Sequence, residues 1–281
     1  MTILVTGAQG MVGSRVMARL MAEGVPVVGV ERAELDLAQP QRIAALLAEV
    51  RPAGIIHCAA MTDVDGCERD PQTAWAVNVE AVAALARSNA RLTTLSTDYV
   101  FDGARGDYGE DDAPNPRGVY ARTKRAGEEA ALIVSKDRAV CRVAVIYTGY
   151  PTARRSYAAT ATEALLAGKP VKAFIDQTVS PTLADNAAQM CIGVHRSGEQ
   201  GVFHCAGASQ VTRLEFVRAL ARKLGADEKL IEPVRLADLK LPAPRPLRCG
   251  LRVEKVQRLL GRDLPLPLDA ALDRFLAERR A

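Results

Sequence analysis

Ile3-Leu4-Val5-Thr6-Gly7-Ala8-Gln9-Gly10-Met11-Val12-Gly13 decides the fold. An apolar run passes straight into three glycines spaced Gly-x-x-Gly-x-x-Gly, and an amphipathic stretch over 11–23 follows until Gly24. This order predicts a strand, a tight turn and a helix. Glycine lets the backbone turn and approach a pyrophosphate. The last glycine lets helix and strand pack closely, and the helix N-terminus offers N–H groups to the anion. The spacing differs from Gly-x-Gly-x-x-Gly, but its place after a first strand marks a dinucleotide site. Gly7, Gln9, Gly10, Met11, Val12 and Gly13 are the candidate cofactor residues of this turn.

Working outward, strands are predicted at Val25–Val30, Ala53–Cys58, Leu92–Ser96 and Ala139–Ile146. Helices are predicted at 40–50, 71–90 and 117–135. Such alternation implies a parallel sheet covered on both faces, and strands that are apolar throughout fit one. The second strand ends Val30-Glu31-Arg32. A carboxylate there suits an NAD ribose, and an arginine suits the 2′-phosphate of NADP, so the choice stays open. Asp36 and Leu37 are placed to flank an adenine, and a solvated loop explains the charged residues equally.

Beyond about 147 the rhythm loosens. Helices are predicted at 156–168, 182–196, 212–224, 253–260 and 267–279, with short strands at 171–175 and 202–206. The expected architecture is a Rossmann-type doubly wound α/β domain over 1–146. A smaller α/β substrate lobe spans 147–281, with some segments packing back on the first domain.

The chain has 281 residues, 48% hydrophobic and 25% charged, with a net charge of +4. That is a globular composition, and the near balance argues against a dedicated nucleic-acid binder. Residues 1–146 hold 16 basic and 19 acidic residues, and residues 147–281 hold 21 and 14. Halves of opposite sign suggest different jobs, although scattered surface arginines give the same sum. The six cysteines form no Cys-x-x-Cys pair, which reads as reduced, intracellular usage. Cys191 and His195 are four apart on a predicted helix, with no second ligand pair nearby, so no metal is expected. No leader and no run near ~18 apolar residues is present, which predicts a cytoplasmic protein with no membrane partner.

Tyr120 and Lys124 are four apart and share one face of a helix that opens after the fourth strand's loop. There the carboxyl end of a parallel sheet holds its ligands. A nearby ammonium should lower the Tyr120 pKa and ready it to exchange a proton with a substrate oxygen. Ser96-Thr97 ends the fourth strand and offers a hydroxyl to the same oxygen, or bonds only to backbone. Asn78 is a candidate in the proton network. His57 and His204 read as satisfied strand histidines, and Trp75 as packing. Arg154-Arg155 reach a diphosphate or stay in a solvated loop, and Arg245 is the better phosphate candidate.

Together these residues resemble the extended short-chain dehydrogenase/reductase superfamily and, within it, the dTDP-4-dehydrorhamnose reductase family. The likeness covers nearly the whole chain and is most specific in Ser96-Thr97-Asp98-Tyr99-Val100-Phe101-Asp102-Gly103. Ala59-Ala60-Met61-Thr62-Asp63-Val64-Asp65, Glu110 to Pro116, Asp176 to Thr182, and Arg245-Pro246 with Leu251 and Lys255 also match. The resemblance implies a catalytic triad of Thr97, Tyr120 and Lys124, with NADP or NAD as cofactor. Cys58, Ala59, Ala60, Thr62, Asn78 and Ser96 would join the cofactor site, and Lys124 would also hold the nicotinamide ribose. The second lobe would bind a nucleotide-sugar substrate through Thr97, Tyr99, Val145, Gln177 and Arg245. Hydride would pass to the 4-keto carbon of a 4-keto-6-deoxy sugar, with the proton from Tyr120. Dimers are common in the superfamily, which makes a homodimer a candidate assembly. Two departures fall on the substrate side: Val145 stands where the family often has tryptophan, and Arg248-Cys249 where Asn-Ser is usual. The alternatives are a nucleotide-sugar epimerase or dehydratase with the same triad, and a non-catalytic cofactor-binding subunit resembling methionine adenosyltransferase β.

Overall fold

A computed structural model describes residues 1–134, 137–152 and 155–280. The strands are β1 (Ile3–Thr6), β2 (Val27–Val30), β3 (Gly54–His57), β4 (Arg91–Thr97), β5 (Arg138–Val143), β6 (Ile146–Tyr147), β7 (Val171–Phe174), β8 (Thr178–Val179), β9 (Thr182–Leu183), β10 (Gly201–His204), β11 (Val211–Thr212) and β12 (Ile231–Val234). The helices are α1 (Met11–Ala22), α2 (Pro40–Val50), α3 (Val64–Arg69), α4 (Pro71–Trp75), α5 (Ala81–Ala86), α6 (Val119–Val134), α7 (Tyr157–Leu166), α8 (Ala184–Ser197), α9 (Arg213–Leu224), α10 (Glu254–Leu260) and α11 (Leu268–Glu278).

Six parallel strands form the central sheet in the order β10-β5-β4-β3-β1-β2. Helices α1 and α8 cover one face, and α2, α5 and α6 the other. This is the Rossmann-type α/β architecture that strand–helix alternation predicts. The sixth strand, β10, comes from the second half of the chain and pairs with β5. Helix α8 is tied to the sheet by charge. Arg19 forks onto Asp185 at 2.9 and 2.6 Å, and Arg91 donates to the carbonyls of Val194, His195, Gly198 and Glu199. Those carbonyls lie at and just past the C-terminal end of α8, where helix carbonyls lack backbone partners. A separate apolar core joins α7, α9 and α11 through Tyr147, Phe216, Leu220, Leu272 and Phe275.

Local chemistry explains most element ends. Helix α9 starts at a Thr212–Glu215 capping box. Helix α1 buries Val12, Val16 and Leu20, four residues apart, against the sheet. The stretch 71–90 is not one α-helix. A π-helical turn over Ala76–Glu80 separates α4 from α5, and the second ends at Ala86. Trp75 is 48% exposed, which corrects its reading as packing, because Ala74 is the buried residue of that turn. Strands of two residues, such as β8 and β9, carry no periodicity and leave no sequence signal.

Cys191 does not share a site with His195. Its sulfur lies within 4.8 Å of those of Cys141 and Cys205 in the buried core, while His195 Nδ1 lies 2.9 Å from Thr93 Oγ1. All six cysteines are free, and no described helix is long and apolar enough to cross a membrane.

A Cβ on Gly13 would stand 2.0 Å from the Gly7 carbonyl oxygen, so only glycine lets α1 lie this close to β1. Gly13→Ala is expected to lower unfolding stability by about 1–3 kcal/mol. The neighbouring Ser14→Ala should stay within about 0.5 kcal/mol. Denaturant midpoints check this, and equal shifts would contradict the packing argument.

Candidate active site

The glycine turn meets the loop after β3 at the carboxyl end of the sheet. A Cβ on Gly7, whose φ is +65°, would touch the Ala59 backbone at 3.0 Å. β1 lies between β2 and β3, so the chain reverses strand order here, where doubly wound sheets bind ligands. Gly10 caps α1 without a side-chain bond, which leaves the helix N–H groups facing the crevice. Cys58 and Ala59 follow β3, with N–H groups directed at Thr6. Thr62 is exposed on the same loop, and Ala60 is half-buried. Gln9 N–H donates to Glu31, which closes the glycine turn onto the end of β2, and Arg32 is exposed beside it. Asp36 bonds Ala38 N–H and Gln39, while Leu37 turns into the core behind the sheet. Met11 is half-buried and Val12 packs in the core under the turn. The turn fits a dinucleotide: side chains at Gly7 and Gly13 would strike the backbone of Ala59 and Gly7, so only glycines bring the N-terminus of α1 this close to the end of β1.

The π-helical turn has a purpose in this site. It places Asn78, 1% exposed, so that its Oδ1 accepts from Met61 N–H at 2.9 Å. Its Nδ2 donates to Met61 O at 3.2 Å and to Thr123 Oγ1 at 3.1 Å. One amide thus joins the loop after β3 to α6. π-Turns inside helices are frequent at functional sites. Gly127 makes the approach possible, since a Cβ there would lie 2.3 Å from the Asn78 carbonyl oxygen.

Tyr120 opens α6, whose first N–H, on Val119, donates to Glu68 on α3 at 2.7 Å. The Thr97 hydroxyl faces Tyr120 and donates to Asp98 Oδ1 at 3.0 Å. Lys124 is 5% exposed, and its Nζ donates to the Leu95 carbonyl at 2.8 Å. One turn further, Glu128 is gripped by Arg142 at 2.8 Å twice, and Ser96 sits beside it. Burial lowers Lys124 to about 8, against the upward pull of Glu128. The expected lowering of Tyr120 is corrected. Burial pushes its phenol up, opposed by the Thr97 hydroxyl, and the Lys124 ammonium is turned to Leu95. Asp98 is 2% exposed, and burial raises it to about 7. His57 bonds Thr6 at 2.7 Å and His204 bonds the Arg252 carbonyl at 3.0 Å; burial lowers both to about 3.

On the other side of the crevice stand the substrate candidates. Tyr99 packs edge-on against Tyr120, with ring centres 6.0 Å apart. Gln177 is buried and bridges Pro246 O to Arg213 Nε. Arg245 pairs with Asp65 at 2.9 Å. Burial works to raise Asp65, but hydrogen bonds from Arg245 and Ala243 leave it below the usual carboxylate range. Val145 takes a φ of +44°, a strained conformation for a β-branched residue. Such strain is often held at functional sites. Arg155 pairs with Glu163, and Arg154 lies outside the described residues. Sequence reading missed the roles of Glu68, Gly127, Glu128 and Arg213. Two had a signal: Arg142 inside an apolar strand demands a buried acid, and glycine inside a helix pattern marks close packing.

Fold and site define a dinucleotide-dependent enzyme of the short-chain dehydrogenase/reductase type. The family described as RmlD substrate binding domain matches residues 1–280, and the chain belongs to it. It is 37% identical to a probable low-salt glycan biosynthesis reductase, Agl14, of Haloferax volcanii, over 94% of each chain. It is 36% identical to dTDP-4-dehydrorhamnose reductase of Mycobacterium tuberculosis, over 86% of this chain and 82% of that one. Among solved structures, a dTDP-4-dehydrorhamnose reductase of Clostridium acetobutylicum superposes with a TM-score of 0.92 at 27% identity, covering 100% of both chains. One from Bacillus anthracis, in complex with NADP, gives 0.91 at 25% identity over 99% of each.

The Lys124 shift has a consequence for stability. The folded chain releases this proton near pH 8 and the unfolded chain near its ordinary value, about 10.4. Burying the charged form therefore costs stability below pH 8, and the cost fades as pH rises from 8 to about 10.4. Lys124→Met should raise stability at pH 7 by about 1–3 kcal/mol, with the gap to wild type narrowing by pH 9.5. Urea melts at both pH values test it, and a less stable variant at pH 7 would refute it.

Proposed function

We propose that this chain is an NAD(P)H-dependent reductase of a nucleotide-linked 4-keto-6-deoxy sugar, like the dTDP-4-dehydrorhamnose reductases it is similar to. The observation that supports this reading is the Thr97 hydroxyl facing Tyr120 at the carboxyl end of β4, with Lys124 one turn further along α6 and anchored on Leu95. Residues 1–146 would hold the cofactor and 147–281 the sugar, with β10 and α8 lending structure to the first part. Gly7, Gln9, Gly10, Met11 and Gly13 would cradle the pyrophosphate, with Val12 packed beneath. Glu31 and Arg32 would meet the adenosine ribose, with Arg32 suited to NADP. Cys58, Ala59, Ala60, Thr62 and Asn78 would line the nicotinamide half. When bound, the nicotinamide supplies the hydride that the keto carbon takes up.

The chain's own residues do the rest. Tyr120 stays protonated at neutral pH, because burial raises its phenol, so it holds a proton to give to the keto oxygen. Thr97 donates or accepts beside that oxygen. Lys124, anchored on Leu95, positions the ribose and supplies positive charge below about pH 8. Tyr99, Val145, Gln177 and Arg245 form the sugar side. The free cysteines suit a reducing cytoplasm, and a homodimer remains part of the reading.

Purified protein should oxidise NADPH or NADH only when a dTDP-4-keto-6-deoxy sugar is added. Tyr120→Phe should lower kcat by about 10²- to 10⁴-fold with cofactor affinity nearly unchanged. Absorbance at the NAD(P)H band measures both. No turnover with any such sugar, or a wild-type rate in Tyr120→Phe, would sink the proposal. Arg245→Ala should raise the KM for the sugar more than that for the cofactor; steady-state kinetics in both substrates decides.

A further inference from the structure

Tyr99 feels two guanidiniums, those of Arg213 and Arg245. They are not equivalent. Arg245 donates to Asp65 Oδ2 at 2.9 Å and to the Ala243 carbonyl at 2.9 Å, so its charge is met within the protein. Arg213 is the first residue of α9. Its Nε donates to Gln177 Oε1 at 3.2 Å, and its guanidinium carbon lies 5.0 Å from the centre of the Tyr157 ring. Its Nη1 is buried and has no hydrogen-bond partner among the described residues. Nearby, Asp98 Oδ2 is also buried without a partner. Asp98 acts on Arg213 from a distance, but the two form no ion pair. Burial works against the Arg213 charge.

An unmet guanidinium is costly to keep inside a protein, and a free buried donor is costly as well. Both costs disappear when an anion completes the set. The guanidinium is already held in place to receive one. Gln177 holds its Nε edge and Tyr157 lies against its face, while the buried Nη1 is left without a partner among the described residues. Tyr99, which the Arg213 charge reaches, in turn packs against Tyr120, the tyrosine of the proposed proton transfer.

We propose that Arg213 is the guanidinium that grips the diphosphate of the nucleotide-sugar substrate, through its unpartnered Nη1. This rests on the nucleotide-sugar reading above and adds an anchor to it. Planar guanidinium matches phosphate oxygens in a way that an ammonium does not. Arg245, already neutralised by Asp65, then ties α3 to the segment 243–246.

Calorimetry with dTDP and with thymidine, on wild type, Arg213→Gln and Arg213→Lys, tests the proposal. Arg213→Gln should weaken dTDP by about 10- to 100-fold, the range for hydrogen bonds to charged groups. Thymidine and NADPH should bind as in wild type. Arg213→Lys should weaken dTDP by about 3- to 10-fold, because the charge stays and the fork is lost. Unchanged dTDP binding, or an equal loss for thymidine and dTDP, overturns the assignment. A purely structural role would lower the melting temperature without separating the two ligands. Should Arg213→Gln not fold, Arg213→Lys decides by the same two measurements. A selective dTDP loss in a protein that reduces no keto sugar would uphold Arg213 and refute the reductase reading. Turnover with dTDP binding unaffected would do the reverse.

Discussion

Glu128 is 1% exposed and carries three guanidinium contacts, two from Arg142 and one from Arg125. Burial works to raise it, yet Arg142 keeps it below the usual carboxylate range. This ion pair binds α6, which carries Tyr120 and Lys124, to β5, between β4 and the edge strand β10. Arg142 also reaches His204 Nε2 at 3.4 Å on β10, and the His204 N–H donates to Glu110 at 3.0 Å. One buried carboxylate therefore connects the candidate catalytic helix, the central strands and the strand supplied by the second half. Buried pairs add little net stability over apolar packing, but losing one partner typically costs about 3–5 kcal/mol. Its value here is geometric: it fixes the rotation of α6 about its axis.

The same carboxylate shapes the site's electrostatics. It faces Lys124 from one turn away and opposes the burial that would strip the lysine of its charge. Lys124 is left close to neutralisation, and Tyr120 well above its ordinary range. A phenol that keeps its proton suits reduction, where the carbonyl oxygen must receive one. It suits abstraction of a proton from an alcohol less well. The direction of the chemistry and the burial of the pair are thus consistent.

What could be read from sequence was what lies close in sequence. The glycine turn spans seven residues, and each glycine answers to a contact within it or to the next loop. Tyr120 and Lys124 share one helix. Asn78 was legible as a candidate, but not the π-turn that aims it, because period-3.6 reasoning has no place for an extra residue. The cap that Glu68 gives to α6 crosses 51 residues, and Arg142–Glu128 joins a strand to a helix. Pairings of that kind follow from the sheet order, which alternation alone does not specify. Arg213 had no local signal, since its significance is a buried Nη1 that the fold leaves without a partner among the described residues.

The opposite charge of the two halves shows in three of the ion pairs between them. Arg196 meets Glu23, Arg245 meets Asp65, and Arg252 meets Asp112: each joins a basic residue of the second half to an acid of the first. Exposed pairs of this sort are worth about 0–1 kcal/mol each. Arg245–Asp65 is the most enclosed of the three, with side-chain exposures of 14% and 24%. Arg19–Asp185 joins the halves in the opposite sense, with the base in the first and the acid in the second. Arg213 stands outside that pattern. It sits at the seam with the same charge and no acid paired to it among the described residues, which is the condition expected of a residue whose counter-ion arrives with the ligand.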